Sequence, residues 1–143
     1  MQDNKLFFLD TNILIYYYDK NENIKKIKAE SLINQCWNRK IKLVISNQVL
    51  SEFVSVALHK LKLSVDEVYF VVKDIISFTG FIKIFYYDKS ILSALEISKD
   101  FNLSFWDALI AATMKENNIL NIYTENVKDF KIPWINTVNP VNS

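Results

Sequence analysis

Glycine is nearly absent from this 143-residue chain, with Gly80 the only one. No glycine loop exists to wrap a phosphate, which excludes Walker-type nucleotide binding and the dinucleotide fingerprint. Histidine is equally scarce, with His59 alone. A zinc site built on histidines is excluded, as is any mechanism that needs two imidazoles. His59 lies in Ala57-Leu58-His59-Lys60-Leu61, a helical stretch, and reads as a surface or boundary residue. Cys36 is the single cysteine. No intrachain disulfide can form, and a reducing cytoplasm fits. No apolar run approaches the length of a bilayer span, so no membrane partner is expected. The start, Met1-Gln2-Asp3-Asn4-Lys5, lacks the charged-then-apolar layout of a signal peptide. The formal net charge of +1 neither demands nor excludes a nucleic acid, because a local basic groove can hide in a balanced total. Chemistry is left to carboxylates, hydroxyls, amides and lysines.

What is present is apolar: half of the residues, with 14% aromatic, enough for one globular domain over 1–143. Lys5 to Leu9 reads as a short strand buried on both faces. Asp10 stands at its end, followed by Thr11 and Asn12, which can cap a helix. Ile24 to Arg39 has helical spacing, with lysines on its other side. Lys42 to Ile45 reads as a strand, and Ser46 or Asn47 caps a helix to about Leu63. Ser64-Val65-Asp66-Glu67 is a capping-box pattern opening a helix to about Phe78. Gly80 breaks the chain. Ile82 to Tyr87 reads as the third strand, and Asp88 caps a helix ending near Phe101. Ser104 opens another, ending around Asn117. Asn121 to Thr124 reads as the fourth strand and Trp134 to Val138 as a fifth. Strands alternating with helices predict a parallel sheet covered on both faces. In such a sheet, residues at the C-terminal strand edge converge though far apart in sequence.

Four acidic positions sit where that convergence would gather them. Asp10 follows strand one, and either points into the crevice or only caps the next helix. Glu52 lies in the helix after strand two. Its neighbours Val49, Phe53 and Val56 are apolar, and an unpaired carboxylate there is costly. The plain alternative is an ion pair with Lys60 or Lys62. Asp107 shares a helical face with Ile110, Ala111 and Met114. It lies three residues after Ser104, so it can also complete a capping box. Past strand four, Thr124, Glu125, Asn126 and Asp129 offer oxygens, or form an ordinary polar turn. Grouped acids without histidine or cysteine select hard cations, Mg²⁺ or Mn²⁺. Such ions are equipment for phosphodiester hydrolysis.

The chain resembles the PIN domain family, including the VapC-type toxins of toxin–antitoxin pairs. Leu9-Asp10-Thr11-Asn12-Ile13-Leu14 is similar to the family's opening motif. Ser46-Asn47-Gln48-Val49-Leu50-Ser51-Glu52-Phe53 resembles the second. Ser104-Phe105-Trp106-Asp107-Ala108-Leu109-Ile110-Ala111-Ala112 resembles the third. The resemblance implies a three-layer α/β/α sandwich with a short parallel sheet of four or five strands. It implies a metal-dependent ribonuclease in which Asp10, Glu52 and Asp107 bind the ion. Thr11, Asn12 and Thr124 match positions that support the site. The fourth motif departs, because Asn126 stands where family members often place an aspartate. Glu125 and Asp129 flank it, and Glu125 is expected to matter more, being closer to the strand end.

These readings combine into an expectation: an Mg²⁺-dependent endoribonuclease, silenced by a small antitoxin protein. Arg39, Lys42 and Lys128 are candidates to hold RNA phosphates, or are a solvated surface. Tyr16-Tyr17-Tyr18 could contribute to a homodimer interface or pack internally. A rival is a PIN-like module that binds RNA or protein without catalysis, motivated by Asn126. A phosphatase with an aspartyl nucleophile fits poorly, because Asn12 occupies the place of its second acid.

Overall fold

A computed structural model describes residues 5–142. In chain order the elements are β1 (Phe7–Leu9), α1 (Thr11–Tyr18), α2 (Ile24–Trp37), β2 (Leu43–Ser46), α3 (Asn47–His59) and α4 (Val65–Ser77). Then come β3 (Phe81–Ile84), α5 (Asp88–Phe101), α6 (Phe105–Glu116), β4 (Asn121–Tyr123), a 3₁₀ turn (Val127–Phe130) and β5 (Asn136–Val138). The five strands form one sheet in the order β3-β2-β1-β4-β5, with every neighbouring pair parallel. All four residues of β2 are buried, so both faces of the sheet are covered, as the apolar runs predict. Helices α1 to α4 pack in succession, α1 on α2 and α3, and α3 on α4, while α5 packs on α6. This is the three-layer α/β/α sandwich.

Phe8 sits at the centre of the sheet, opposite Val44 on one side and Ile122 on the other, and is fully buried. Burial of such a ring stabilises the fold by roughly 1.5–3 kcal/mol. Phe7 stacks on Tyr123 with ring centroids 4.1 Å apart. The chain first builds outward from β1 through β2 to β3, then returns to add β4 and β5 on the other side of β1. The reversal between β1 and β4 opens a crevice at the carboxyl ends of those strands, the place where open α/β sheets bind ligands.

Element ends differ from the sequence expectations by a few residues, each for a local reason. β3 stops at Ile84 because the Tyr86 N–H leaves the ladder for Asn47 Oδ1, at 3.0 Å. Tyr87 then takes the N-cap position of α5 that Asp88 was expected to fill, and its N–H donates to Ser90 Oγ at 2.9 Å. With glycine so scarce, Arg39, Lys62, Asn102 and Asn118 take the left-handed turns that end helices, with φ between 53° and 61°. That stops α2 and α3 short of Arg39 and Leu63. Gly80 has no positive φ; a Cβ there would run into the Phe78 ring. The Tyr16–Tyr18 run is engaged inside the chain. Tyr16 and Tyr17 donate to Glu125 and Asn34, and Tyr18 packs edge-on against Phe53 at 5.5 Å.

Candidate active site

Asp10 is the N-cap of α1. Its Oδ1 accepts the Thr11 N–H at 2.7 Å, so the capping reading holds. Its Oδ2 accepts the Thr124 hydroxyl at 2.7 Å, with the Asn12 amide at a looser 3.5 Å. The Asp10 N–H donates to Tyr123 O at 3.0 Å. The carboxylate is thus pinned across the β1–β4 reversal. It is nearly buried, and the capping and crevice readings are both true of it.

Glu52 sits on the second turn of α3, whose N-cap is Ser46. The Thr11 hydroxyl donates to Glu52 Oε1 at 2.9 Å, tying it to the residue next to Asp10. Gln48, one turn earlier on α3, places its amide nitrogen 3.5 Å from Glu52 Oε2. Lys60 and Lys62 make no ion pair with Glu52 among the described residues. Asp107 lies in the first turn of α6. Ser104 caps that helix by accepting the Asp107 N–H at 3.3 Å, and its hydroxyl donates to Asp107 Oδ2 at 2.9 Å.

These acids line one crevice of about 530 Å³, together with Thr11, Asn12, Tyr16, Ser55, Lys60 and Asn126. Burial, above all, and then the charges of Glu52 and Asp107 push Asp10 up from 3.8 to about 6, against the pull of Thr124 and Thr11. Burial also raises Asp107. Its bond to Ser104 opposes the rise, while Asp129 and Glu52 add to it. Asp129, in the 3₁₀ turn, is therefore close enough for its charge to reach Asp107.

The segment after β4 departs from expectation at Glu125. Its carboxylate accepts the Tyr16 hydroxyl at 2.8 Å and pairs with Lys25, and it is not among the crevice-lining residues. Burial works upward on its pKa, but Lys25 and Tyr16 outweigh it and hold the group below the usual carboxylate range. Both oxygens are engaged, so Glu125 acts as a strut joining α1, α2 and the β4 loop. Asn126 does line the crevice, and its N–H donates to Thr124 Oγ1 at 3.0 Å. Thr124 in turn reaches Asp10. Arg39 and Lys42 precede β2, at the amino edge of the sheet and away from the crevice. Arg39 instead donates to Thr79 and lies over the Phe78 ring. The lysine that reaches the crevice is Lys60, read beforehand only as a partner for Glu52.

The donors facing this crevice are carboxylate, hydroxyl and amide oxygens. That set suits Mg²⁺ or Mn²⁺ and no softer metal. Among the described residues no three acids close tightly on one point. The open arrangement suits Mg²⁺, which keeps several waters and takes one or two carboxylates.

The sequence model of the PIN domain matches residues 7–131. The chain belongs to the PIN domain family. No curated protein sequence matches this PIN domain. Among solved structures it is similar to Mycobacterium tuberculosis VapC20, a toxin that cleaves the sarcin–ricin loop, with 18% identity and a TM-score of 0.68. That likeness covers 90% of this chain and 96% of the toxin. It is also similar to a chain of DNA-bound VapBC from Salmonella typhimurium, with 22% identity, TM-score 0.67, and coverage of 95% and 98%. A toxin–antitoxin complex from Klebsiella pneumoniae gives 20% identity, TM-score 0.64, and coverage of 94% and 97%. At these identities the likeness establishes the fold of this PIN domain, which is the one described above. Among the described residues, no helix is long and apolar enough to cross a membrane.

Proposed function

We propose that this PIN domain is an Mg²⁺- or Mn²⁺-dependent endoribonuclease and the toxin of a toxin–antitoxin pair. The observation that carries the reading is the crevice at the β1–β4 reversal, lined by Asp10, Glu52 and Asp107, none of which has a basic partner among the described residues. Asp10 and Asp107 would hold the cation, with Glu52 sharing it. When bound, the cation supplies positive charge that polarises the phosphodiester and makes a water acidic. The chain's own groups do the rest. Thr124 and the Thr11 N–H fix the Asp10 carboxylate, and the Thr11 hydroxyl fixes Glu52. Lys60 offers a charge to a phosphate, and Asp129 stands at the Asp107 side to accept a proton through water. The toxin assignment is supported by structural neighbours described as VapC or VapBC. An antitoxin partner is further supported by an apolar groove along α3 and α4, where Val65, Tyr69 and Ile76 are exposed.

The test is cleavage of total cellular RNA by the purified protein, with and without Mg²⁺, beside Asp107→Asn. Wild type should cut only with the cation. Asp107→Asn should lose cleavage by several orders of magnitude while RNA binding weakens little, because affinity comes from phosphate neutralisation and not from this acid. Wild type that binds RNA yet never cuts it would establish the non-catalytic alternative.

A further inference from the structure

Gln48 is almost fully buried, 3% exposed, yet it is polar and lies outside the crevice lining. Its amide nitrogen donates to the Trp106 carbonyl at 3.0 Å and sits 3.5 Å from Glu52 Oε2. Its Oε1 is buried and meets no donor among the described residues. A buried acceptor without a donor is costly, so something must fix the amide this way round. The two acceptors do so. Turning the amide over would set Oε1 against a carbonyl and a carboxylate together. The bond to Trp106 is also the one hydrogen bond joining α3 to α6 among the described residues. Trp106 immediately precedes Asp107. Gln48 therefore spans the two acids: one contact on Glu52 itself, the other on the backbone that carries Asp107.

We infer that Gln48 is a positioning residue that sets the placement of Glu52 relative to Asp107 for a hard divalent cation, an inference that rests on the proposed metal-dependent function. A leucine here would keep the bulk and lose the donor. It would also remove the unsatisfied oxygen, so fold stability need not fall with function. Outer-shell partners of ligating carboxylates are worth about 10- to 100-fold in metal affinity.

The experiment is titration of the purified full chain with Mn²⁺ alone, followed by calorimetry, alongside the melting temperature without metal. Four proteins are compared: wild type, Gln48→Leu, Glu52→Gln and the double variant. Gln48→Leu should melt within a few degrees of wild type while binding Mn²⁺ about 10-fold more weakly. In the Glu52→Gln background the same change should have less than about a twofold effect, because the carboxylate it positions is gone. Equal fold-losses in both backgrounds, or no loss in either, overturn the inference while leaving the metal site standing. A wild type that binds no Mn²⁺ overturns the proposed function, and this inference falls with it. Gln48→Met repeats the comparison with a different apolar shape, should the leucine variant not fold.

Discussion

Asp10→Asn should stabilise this protein in metal-free buffer, and only above the pH where the carboxyl ionises in the fold. Asp10 has its pKa raised from 3.8 to about 6, so the fold holds its proton more tightly than the unfolded chain does. The stability it contributes is therefore fully present below about pH 4 and is lost as pH rises through about 6. At 1.36 kcal/mol per unit, that loss amounts to about 3 kcal/mol at pH 8. Asparagine has no charge to bury, and its oxygen can still accept the Thr11 N–H. It gives up the acceptor for the Thr124 hydroxyl, an offset of about 1 kcal/mol. The net gain is about 2 kcal/mol, or roughly 7 °C in melting temperature for a chain of this length. The assay is thermal unfolding with chelator present, at half-unit steps from pH 4 to pH 8. The two melting curves should converge toward low pH and cross, with the variant less stable at pH 4. A variant less stable than wild type by the same margin at every pH would refute the reasoning, because it would mean the burial cost is not felt.

Metal should reverse that ranking: Mn²⁺ at 100 times its dissociation constant should stabilise wild type by about 2.7 kcal/mol and leave Asp10→Asn nearly unmoved. A melting temperature of wild type that ignores millimolar Mn²⁺ would leave no site to discuss. Asp129→Asn should reduce RNA cleavage more than Glu125→Gln does, reversing the order expected from sequence, because Glu125 is held by Lys25 and Tyr16. Greater damage from Glu125→Gln would mean that the strut at the β4 loop holds the site in place. Lys60→Ala should weaken RNA binding and flatten its salt dependence by about one unit of slope; an unchanged slope would place the bound phosphates elsewhere.

The strand order could not be read from the chain, but the strand and helix periods could, and they carried most of the architecture. Asp10 and Asp107 were legible because each combines two local signals, a strand end or helix cap beside an apolar face. Glu52 was legible as a charge on a core-facing stretch of helix. The Gln48 bridge was not, since α3 and α6 are joined by residues 58 positions apart and nothing local marks a glutamine as a tie. The Lys25–Glu125 pair spans 100 positions, and proximity to the end of β4 was a poor guide to which acid stays free. For Arg39 and Lys42 the solvated-surface reading is the one the fold favours, and a signal for it was available in the sequence. Both precede β2, and a parallel sheet sends the residues before a strand to the edge opposite the crevice.

Pairing separates the acids of this fold into two kinds. Glu125 has a lysine and a phenol on its oxygens, so its charge is spent on holding the β4 loop to α1 and α2. Asp10 is held by a backbone N–H, a hydroxyl and an amide, Glu52 by a hydroxyl and an amide, and Asp107 by a hydroxyl. Every one of those donors is neutral. Neutral donors fix where a carboxylate points but leave its charge in place. Burial and like-charge repulsion then act on the same small volume, which is why Asp10 and Asp107 both hold their protons more tightly than usual. Lys60, the one lysine on the crevice wall among the described residues, cannot balance three acids. Among the described residues, three negative charges are thus held in place and none is paired with a cation, a costly state that the proposed divalent cation would relieve.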